Sequence, residues 1–475
     1  MGEEISEGQG RAQDLVSFRE KVQEETRILR SWFDDRKMAS NEACFGVELE
    51  GWLIDPKDAR PAPKNHEFLE ALNHEQFVPE LSKYNFEINS LPQSLCPEVF
   101  SKMQQEIHSL IKKSRKVASS NGMEALWIGV LPTIEDSMLD MDAMTQQNRY
   151  YALAERISEI RNGEEFPIHI DRFDSLDLSR KNILIEAAAT SLQIHAQVSQ
   201  DEAAEFYNVS SILSGPLVAL SANSPFLYGK RLWDETRIPI FEQTLSLKNW
   251  VGEPLEPVTF GDCYLESCVM ELFDENLSKH TVILPSQFDS EPEELRHLKF
   301  LNGQIWRWNR PIIGIVDGKP HVRIEHRALP AGPTSTDVVA NVAFYVGLLY
   351  HYTRKVQKGQ RKLDFEKARK NFYNCSRNGL AANVHWFGDR QVNVLSLLQN
   401  ELMMDAHLGL KELGVSREDI DYYIGNVIQT RLRNHQNGAN WQKSFIDKYG
   451  NDFSAMTLAY LERQKSGQFV GEWKV

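Results

Sequence analysis

The sequence has little cysteine: five residues in 475 (Cys44, Cys96, Cys263, Cys268 and Cys375), odd in number, scattered, and with no CxxC pair. A disulfide framework and a structural zinc site are therefore not expected, and a reducing compartment, the cytoplasm, fits. No apolar run reaches the roughly 18 residues a membrane span needs. Positive charge is in deficit: 53 Lys+Arg stand against 67 Asp+Glu, a net charge of −14. General nucleic-acid binding and anionic-membrane binding both need a positive field, so both are disfavoured. The P-loop pattern GxxxxGK[ST] is missing, and so are Gly-rich phosphate loops, internal repeats and low-complexity tracts. What is present is ordinary globular composition, 41% hydrophobic and 25% charged, in a chain long enough to bury a large core without covalent staples.

The opening MGEEISEGQG is acidic and polar, and residues 1–12 are expected to be a disordered lead. Gly2 and Ser6 match the bare myristoylation pattern. Two glutamates follow Gly2 and no lysine cluster supplies a second anchoring signal, so lipidation is not expected. Apolar residues at helical spacing predict helices over 13–38, 98–120, 142–161, 201–222 and 335–358. Most of 361–475 is also helical in pattern. No Pro/Gly/Ser-rich linker divides the chain. The expectation is one catalytic unit over 13–475, with a strand-rich core (13–340) and a helix-rich C-terminal part (341–475).

Four strand-like segments carry the chemistry. Side chains alternate with period 2 along a strand. In Cys44–Glu50, Phe45, Val47 and Leu49 take one face and Glu48 and Glu50 the other. In Tyr84–Asn89, Phe86 and Ile88 oppose Glu87 and Asn89. In Ser191–Val198, an apolar face opposes Ser191, Gln193, His195 and Gln197. In His321–Arg327, the polar face is His321, Arg323, Glu325 and Arg327. A single strand of this kind reads as one with a solvated face. Four of them, rich in Glu, His, Gln, Asn and Arg and free of Lys, do not. Carboxylates with one imidazole suit Mg²⁺ or Mn²⁺, and guanidinium groups suit phosphate or carboxylate. An inward-facing metal cup is the specific expectation.

These segments resemble a known family. FGVELEGWLID, ELSKYNFEINSLP, TSLQIHAQVS, SANSPFLYGK, WDETRIPIFEQ and HVRIEHRALPAGPT, in that order over about residues 40–340, are similar to the glutamate–cysteine ligase family, type 2 branch, which includes the carboxylate–amine ligases. The resemblance implies an α+β, glutamine-synthetase-like fold: a curved, mostly antiparallel sheet forming a funnel, with helices outside. It implies ATP and Mg²⁺ (or Mn²⁺) as cofactors. It implies phosphorylation of the γ-carboxylate of glutamate and its joining to an amine, with cysteine the expected acceptor. Carried over by position, Glu48, Glu50, Glu80, Glu87, His195 and Glu325 would bind metal. Arg327 and Arg237 would be catalytic and, with Arg323, would bind substrate or ATP. The SANSPFLYG loop would line the substrate end.

Other readings stay open at this level. A different amine acceptor, a metal-dependent hydrolase, and a catalytically silent metal- or nucleotide-binding regulator would all use the same cup. IWRWNRPIIG (305–314) reads as a packed strand edge, and RKVQKGQRK (354–362) as a solvated helix end. Cys263 and Cys268 are expected to be buried. Oligomeric state is not encoded in any visible pattern.

Overall fold

The computed structural model describes residues 5, 14–38, 43–248 and 254–475. Eight strands form one antiparallel sheet: β1 (Cys44–Ile54), β2 (Phe77–Pro79), β3 (Asn85–Asn89), β4 (Gln93–Ser94), β5 (Glu124–Leu126), β6 (Ser191–Val198), β7 (Asn309–Val316) and β8 (Lys319–Pro330). Their order is β7–β8–β6–β1–β3–β2, with β4 and β5 pairing onto the two ends of β1. The sheet curls into an open half-barrel with helices outside, so the α+β expectation holds. All four chemistry-bearing segments are strands of this one sheet, and they are contiguous in it: β8, β6, β1 and β3.

The convex face is built by the alternation seen in the sequence. Phe45, Val47 and Leu49 of β1 are buried. The Phe45 ring meets Tyr350 edge-on at 6.3 Å, and Tyr350 meets Phe206 at 4.9 Å. Tyr350 and Phe206 belong to two long helices, Ser335–Gln357 and Ala203–Ser221, that back the sheet. The second is buried at every position but Glu205, in keeping with its mostly apolar sequence. Gly51 on β1 also has a packing role: a Cβ there would fall 2.7 Å from the Phe86 ring.

The turn that follows β8 fixes that strand's end. Gly332 has φ +79°, and a Cβ on it would lie 2.3 Å from the Trp127 carbonyl oxygen, so only glycine fits. The helix Ser335–Gln357 then starts on a capping box in which the Thr334 hydroxyl donates to Asp337 Oδ2 at 2.6 Å. Arg431, from the C-terminal helices, donates to Asp337 Oδ1 at 2.7 Å and to Asn341 Oδ1 at 2.6 Å. This ion pair is fully buried, and it ties the C-terminal part to the helix that leaves the active-site strand.

Several expectations change on contact with the structure. Ile5, within the lead expected to be disordered, is buried, and its carbonyl accepts from Asn148 Nδ2 at 3.2 Å. Gly2 and Ser6 lie outside the described residues. Cys263 is exposed and Cys268 half-buried, because both sit on the loop ahead of the helix Met270–Ser278 rather than in the core. The loop SANSPFLYG lines neither active-site cavity. Asn223 is fully buried and spends its amide on Ala331 O at 2.8 Å and on Gln442 Nε2 at 3.0 Å. Among the described residues no helix is long and apolar enough to cross a membrane.

Replacing Arg431 with Met should leave Asp337 as a buried charge without its counter-ion. A loss of about 3 kcal/mol is expected, the low end for breaking a buried pair, since Thr334 and the Val470 amide still donate to Asp337. Equilibrium denaturation measures it. The double variant Asp337→Asn with Arg431→Met should recover part of the loss.

Candidate active site

The register of the sheet decides which side chains meet. On the concave face Glu50 of β1 lies directly opposite Glu87 of β3, and Glu48 lies between Asn89 of β3 and Gln193 of β6. His195 of β6 lies between Gly46 of β1 and Glu325 of β8. Arg310 of β7 lies opposite Glu325. A slip of one residue in any strand would turn this set onto the helices, and the apolar alternation of the convex face forbids it.

Two groups of candidate metal ligands result. In Glu48, His195 and Glu325, and again in Glu50, Glu80 and Glu87, one ligand atom from each residue lies within 4.8 Å of the others. Glu80 follows β2 directly, and β2 pairs with β3, which brings it beside Glu87. All six positions named from the sequence therefore fall into two triads. Between them runs a shared wall: Glu48, Asn89, His195 and Arg323 line both a cavity of about 500 Å³ and a second of about 540 Å³.

The triads differ in charge balance. In the first, Arg310 grips Glu325 with two bonds, Nε to Oε2 at 2.8 Å and Nη2 to Oε1 at 3.1 Å. Arg327 Nη1 adds a third at 3.1 Å and also donates to Gln193 Oε1. Burial alone would push Glu325 up, but Arg310 and Arg327 hold it well below the usual carboxylate range. Glu48 is likewise buried yet held low by His195. The second triad has no such arginine clamp. Burial and the neighbouring carboxylates push Glu80 up to about 7 and Glu87 well above its ordinary value. Glu50 is also raised by burial, although Ser191 Oγ and the Ser191 amide each donate to it at 2.7 Å.

The donor set fits hard divalent cations: five carboxylates and one imidazole, with no thiolate. The second triad fits without rearrangement, because its excess negative charge is the condition a cation relieves. In the first, His195 Nε2 lies 3.0 Å from Glu48 Oε1 and 3.8 Å from Glu325 Oε1, is buried, and makes no well-aligned hydrogen bond. Its Nδ1 accepts from Arg323 Nε at 3.1 Å. Ligation through Nε2 requires the ring proton on Nδ1, so Arg323 must then leave that nitrogen.

The arginines divide. Arg323 lines both cavities and Arg327 the first. Arg237 does not. Its guanidinium is buried behind the wall, donating to the Ala328 carbonyl and to Glu235 Oε1 at 3.2 Å. It braces the irregular stretch of β8 just after Arg327, so the expected catalytic and substrate-binding role is replaced by one of positioning. Arg310 was not anticipated as a site residue. Its only signal was the arginine-rich edge strand, where Arg307 turns instead to the interior and donates to Asn276 Oδ1 at 2.7 Å. Glu186, on a short 3₁₀ turn (Leu184–Ala188), also faces the first cavity and left no pattern in the sequence.

A carboxyl whose folded pKa is raised costs stability as pH climbs from its unfolded value, 4.5 here, through the folded one, about 7 for Glu80. Between pH 6 and pH 8 the second triad should therefore destabilise the metal-free protein. Mn²⁺ or Mg²⁺ should raise the melting temperature more at pH 8 than at pH 6. Glu87→Gln should raise the metal-free melting temperature at pH 8 and weaken Mn²⁺ binding by at least the roughly ten- to hundredfold that losing an outer-sphere partner costs. Thermal melts with and without metal check both.

The sequence matches the profile of glutamate-cysteine ligase family 2 over residues 44–445. No curated protein is similar to the chain in sequence. Among solved structures, a glutamate–cysteine ligase from Francisella tularensis in complex with AMP superposes with a TM-score of 0.53 at 11% identity, over 91% of this chain and 90% of that one. A bifunctional glutathione synthetase from Pasteurella multocida gives a TM-score of 0.54 at 11% identity, over 93% of this chain and 54% of that one. The chain thus spans about half the length of the second protein. At this identity the likeness is one of fold, and the fold is that of the glutamate–cysteine ligase. The family match covers both triads and Arg323 and Arg327, and it makes the protein an ATP-dependent carboxylate–amine ligase. The chain belongs to glutamate-cysteine ligase family 2.

Proposed function

We propose that the protein transfers the γ-phosphoryl group of ATP to the γ-carboxylate of glutamate and joins the activated acyl group to an amine. One observation carries this reading: two triads suited to divalent cations line one cavity with arginines beside them, and Glu48 and His195 of the first triad also face a second cavity. A carboxylate does not react with an amine at neutral pH, because its oxygen is a poor leaving group. Once it is an acyl phosphate, the amine lone pair forms the C–N bond, the C–O bond to phosphate breaks, and phosphate departs with that electron pair.

The second cavity suits the nucleotide. Pro92 and Val316 give it apolar surface for a base, Lys319 and Arg323 give it cationic edges for phosphates, and His321, held neutral by burial and Arg323, adds a polar ring. The first cavity suits glutamate and the acceptor, since it holds the carboxylate-rich triad together with Arg149, Arg310 and Arg327. Glu48, His195 and Glu325 would hold one Mg²⁺ and Glu50, Glu80 and Glu87 another, and these ions would neutralise the phosphate charge. Arg327 is held on the wall of the first cavity by Gln193 and Glu325. Its remaining donors can meet an oxygen of the migrating phosphoryl group. Arg323, once off His195, has the second cavity to turn into.

Neither a hydrolase nor a silent regulator accounts for the arginines as well. Buried carboxylates held against their own repulsion are costly to keep in an idle site. Cysteine is the acceptor in the family's name. No group on the cavity wall is specific for a thiol, which leaves room for another amine.

The test is ADP release from ATP, Mg²⁺ and glutamate with a panel of amines. Release that needs both glutamate and an amine supports the ligase, and release with glutamate and water alone contradicts it. Arg327→Lys should cost far more than its conserved charge suggests, because an ammonium cannot reproduce the planar fork. A lost charge-assisted bond of roughly 1.5–3 kcal/mol corresponds to a turnover about ten- to a hundredfold lower. Steady-state ATP turnover measures it, with a thermal melt to confirm an intact fold.

A further inference from the structure

The first cavity has a second, apolar lobe that the phosphoryl-transfer chemistry does not use. Leu153, Ile183, Phe241, Leu245, Phe273 and Trp306 line it, contributed by four separate elements and two positions just outside an element. Between them these six side chains offer a single polar atom, the Trp306 indole N–H. Phe241 and Leu245 share one face at i, i+4, and the Phe241 ring meets Trp306 edge-on at 6.2 Å.

Glu186 stands where this lobe meets the metal-binding face. Its 3₁₀ turn packs on the helix Arg237–Thr244, which carries Phe241. Ile183, one turn earlier, is part of the lobe. On the other side Glu80 and Glu50 are close enough to raise Glu186 electrostatically; with burial as the larger cause, its carboxyl is pushed up to about 8. It belongs to neither triad. Its carboxylate makes no hydrogen bond or ion pair with another described residue. Arg327 and Arg237 act on it only at a distance, lowering it, so the carboxylate faces the cavity with no bonded partner among the described residues and can receive a cationic group.

Resting on the ligase reading above, we infer that Glu186 receives the ammonium group of the acceptor and takes the proton that group must lose before its nitrogen can attack, and that the lobe takes an apolar aliphatic or aromatic tail. The acceptor class is then a primary amine with an apolar tail and no carboxylate. Cysteine and other amino acids fit this end poorly. Their α-carboxylate would meet Glu186 and six apolar side chains, and none of these seven groups is cationic. An apolar lobe of this size would also be left part-empty by a thiol side chain, with the loss of contact that entails.

The experiment uses the full chain with ATP, Mg²⁺ and glutamate. Hydroxylamine, small and uncharged near neutral pH, traps the acyl phosphate as glutamyl hydroxamate whatever the lobe prefers. Phenethylamine, isopentylamine, phenylalanine and cysteine are then compared by kcat/KM. Phenethylamine or isopentylamine should exceed both phenylalanine and cysteine by about tenfold or more. If hydroxamate forms but cysteine is the best acceptor, or phenylalanine equals phenethylamine, the inference falls and the ligase reading stands. If no hydroxamate forms, the ligase reading falls and takes the inference with it. Glu186→Gln adds a second arm. It should raise KM for phenethylamine and lower its kcat/KM about tenfold relative to that for hydroxylamine, with the same number of Mn²⁺ ions bound. Equal losses with both nucleophiles, or loss of an Mn²⁺ ion, would assign Glu186 to the fold or to the metals and overturn the inference.

Discussion

Mutual repulsion among buried carboxylates is the constraint on which this structure turns. Glu50, Glu80, Glu87 and Glu186 face one cavity; burial raises all four above the ordinary carboxylate pKa, and neighbouring carboxylates add to it at Glu80, Glu87 and Glu186. Like charges at this density are sustained only by a surrounding framework that cannot relax away from them. The framework here is a sheet whose register places Glu50 opposite Glu87, backed by two buried helices. The repulsion that burdens the empty protein is the attraction a divalent cation would feel.

The neighbouring triad solves the same problem with arginine. Arg310 and Arg327 neutralise Glu325, and His195 sits against Glu48. The two halves of the site therefore have different electrical characters a few ångströms apart: one already compensated, one waiting for charge. Phosphoryl transfer from a polyanionic nucleotide to a carboxylate needs such a gradient. The donor must be drawn in by cations, and the acceptor carboxylate must be held close without being repelled. Arg237, buried behind β8 and bonded to the Ala328 carbonyl, serves by keeping the strand in place.

Much of this was legible in the sequence because period-2 alternation is local. The faces of Cys44–Glu50, Ser191–Val198 and His321–Arg327 could be read from each segment alone, and the resemblance to a family then placed Glu80, which follows a three-residue strand too short to show a pattern. Other features depended on tertiary contact. Arg237 and Arg327 look alike as isolated arginines, and only the packing of Glu235 and the β8 backbone separates their roles. Glu186 lies on a 3₁₀ turn within an apolar run, NILIEAAAT, whose outward direction no periodicity fixes. The apolar lobe is assembled from residues more than 150 positions apart, so it exists only once the chain has folded.

The central claim is that the concave face holds two divalent cations, one per triad, between a nucleotide and an amino-acid cavity. Crystals grown with Mn²⁺ and a non-hydrolysable ATP analogue would test it through anomalous scattering at a wavelength near the manganese edge. The account predicts two peaks, one bounded by Glu48, His195 and Glu325 and the other by Glu50, Glu80 and Glu87, with Arg323 turned from His195 towards the phosphates. A peak at neither triad, or a nucleotide seated in the first cavity against Glu186, would contradict it.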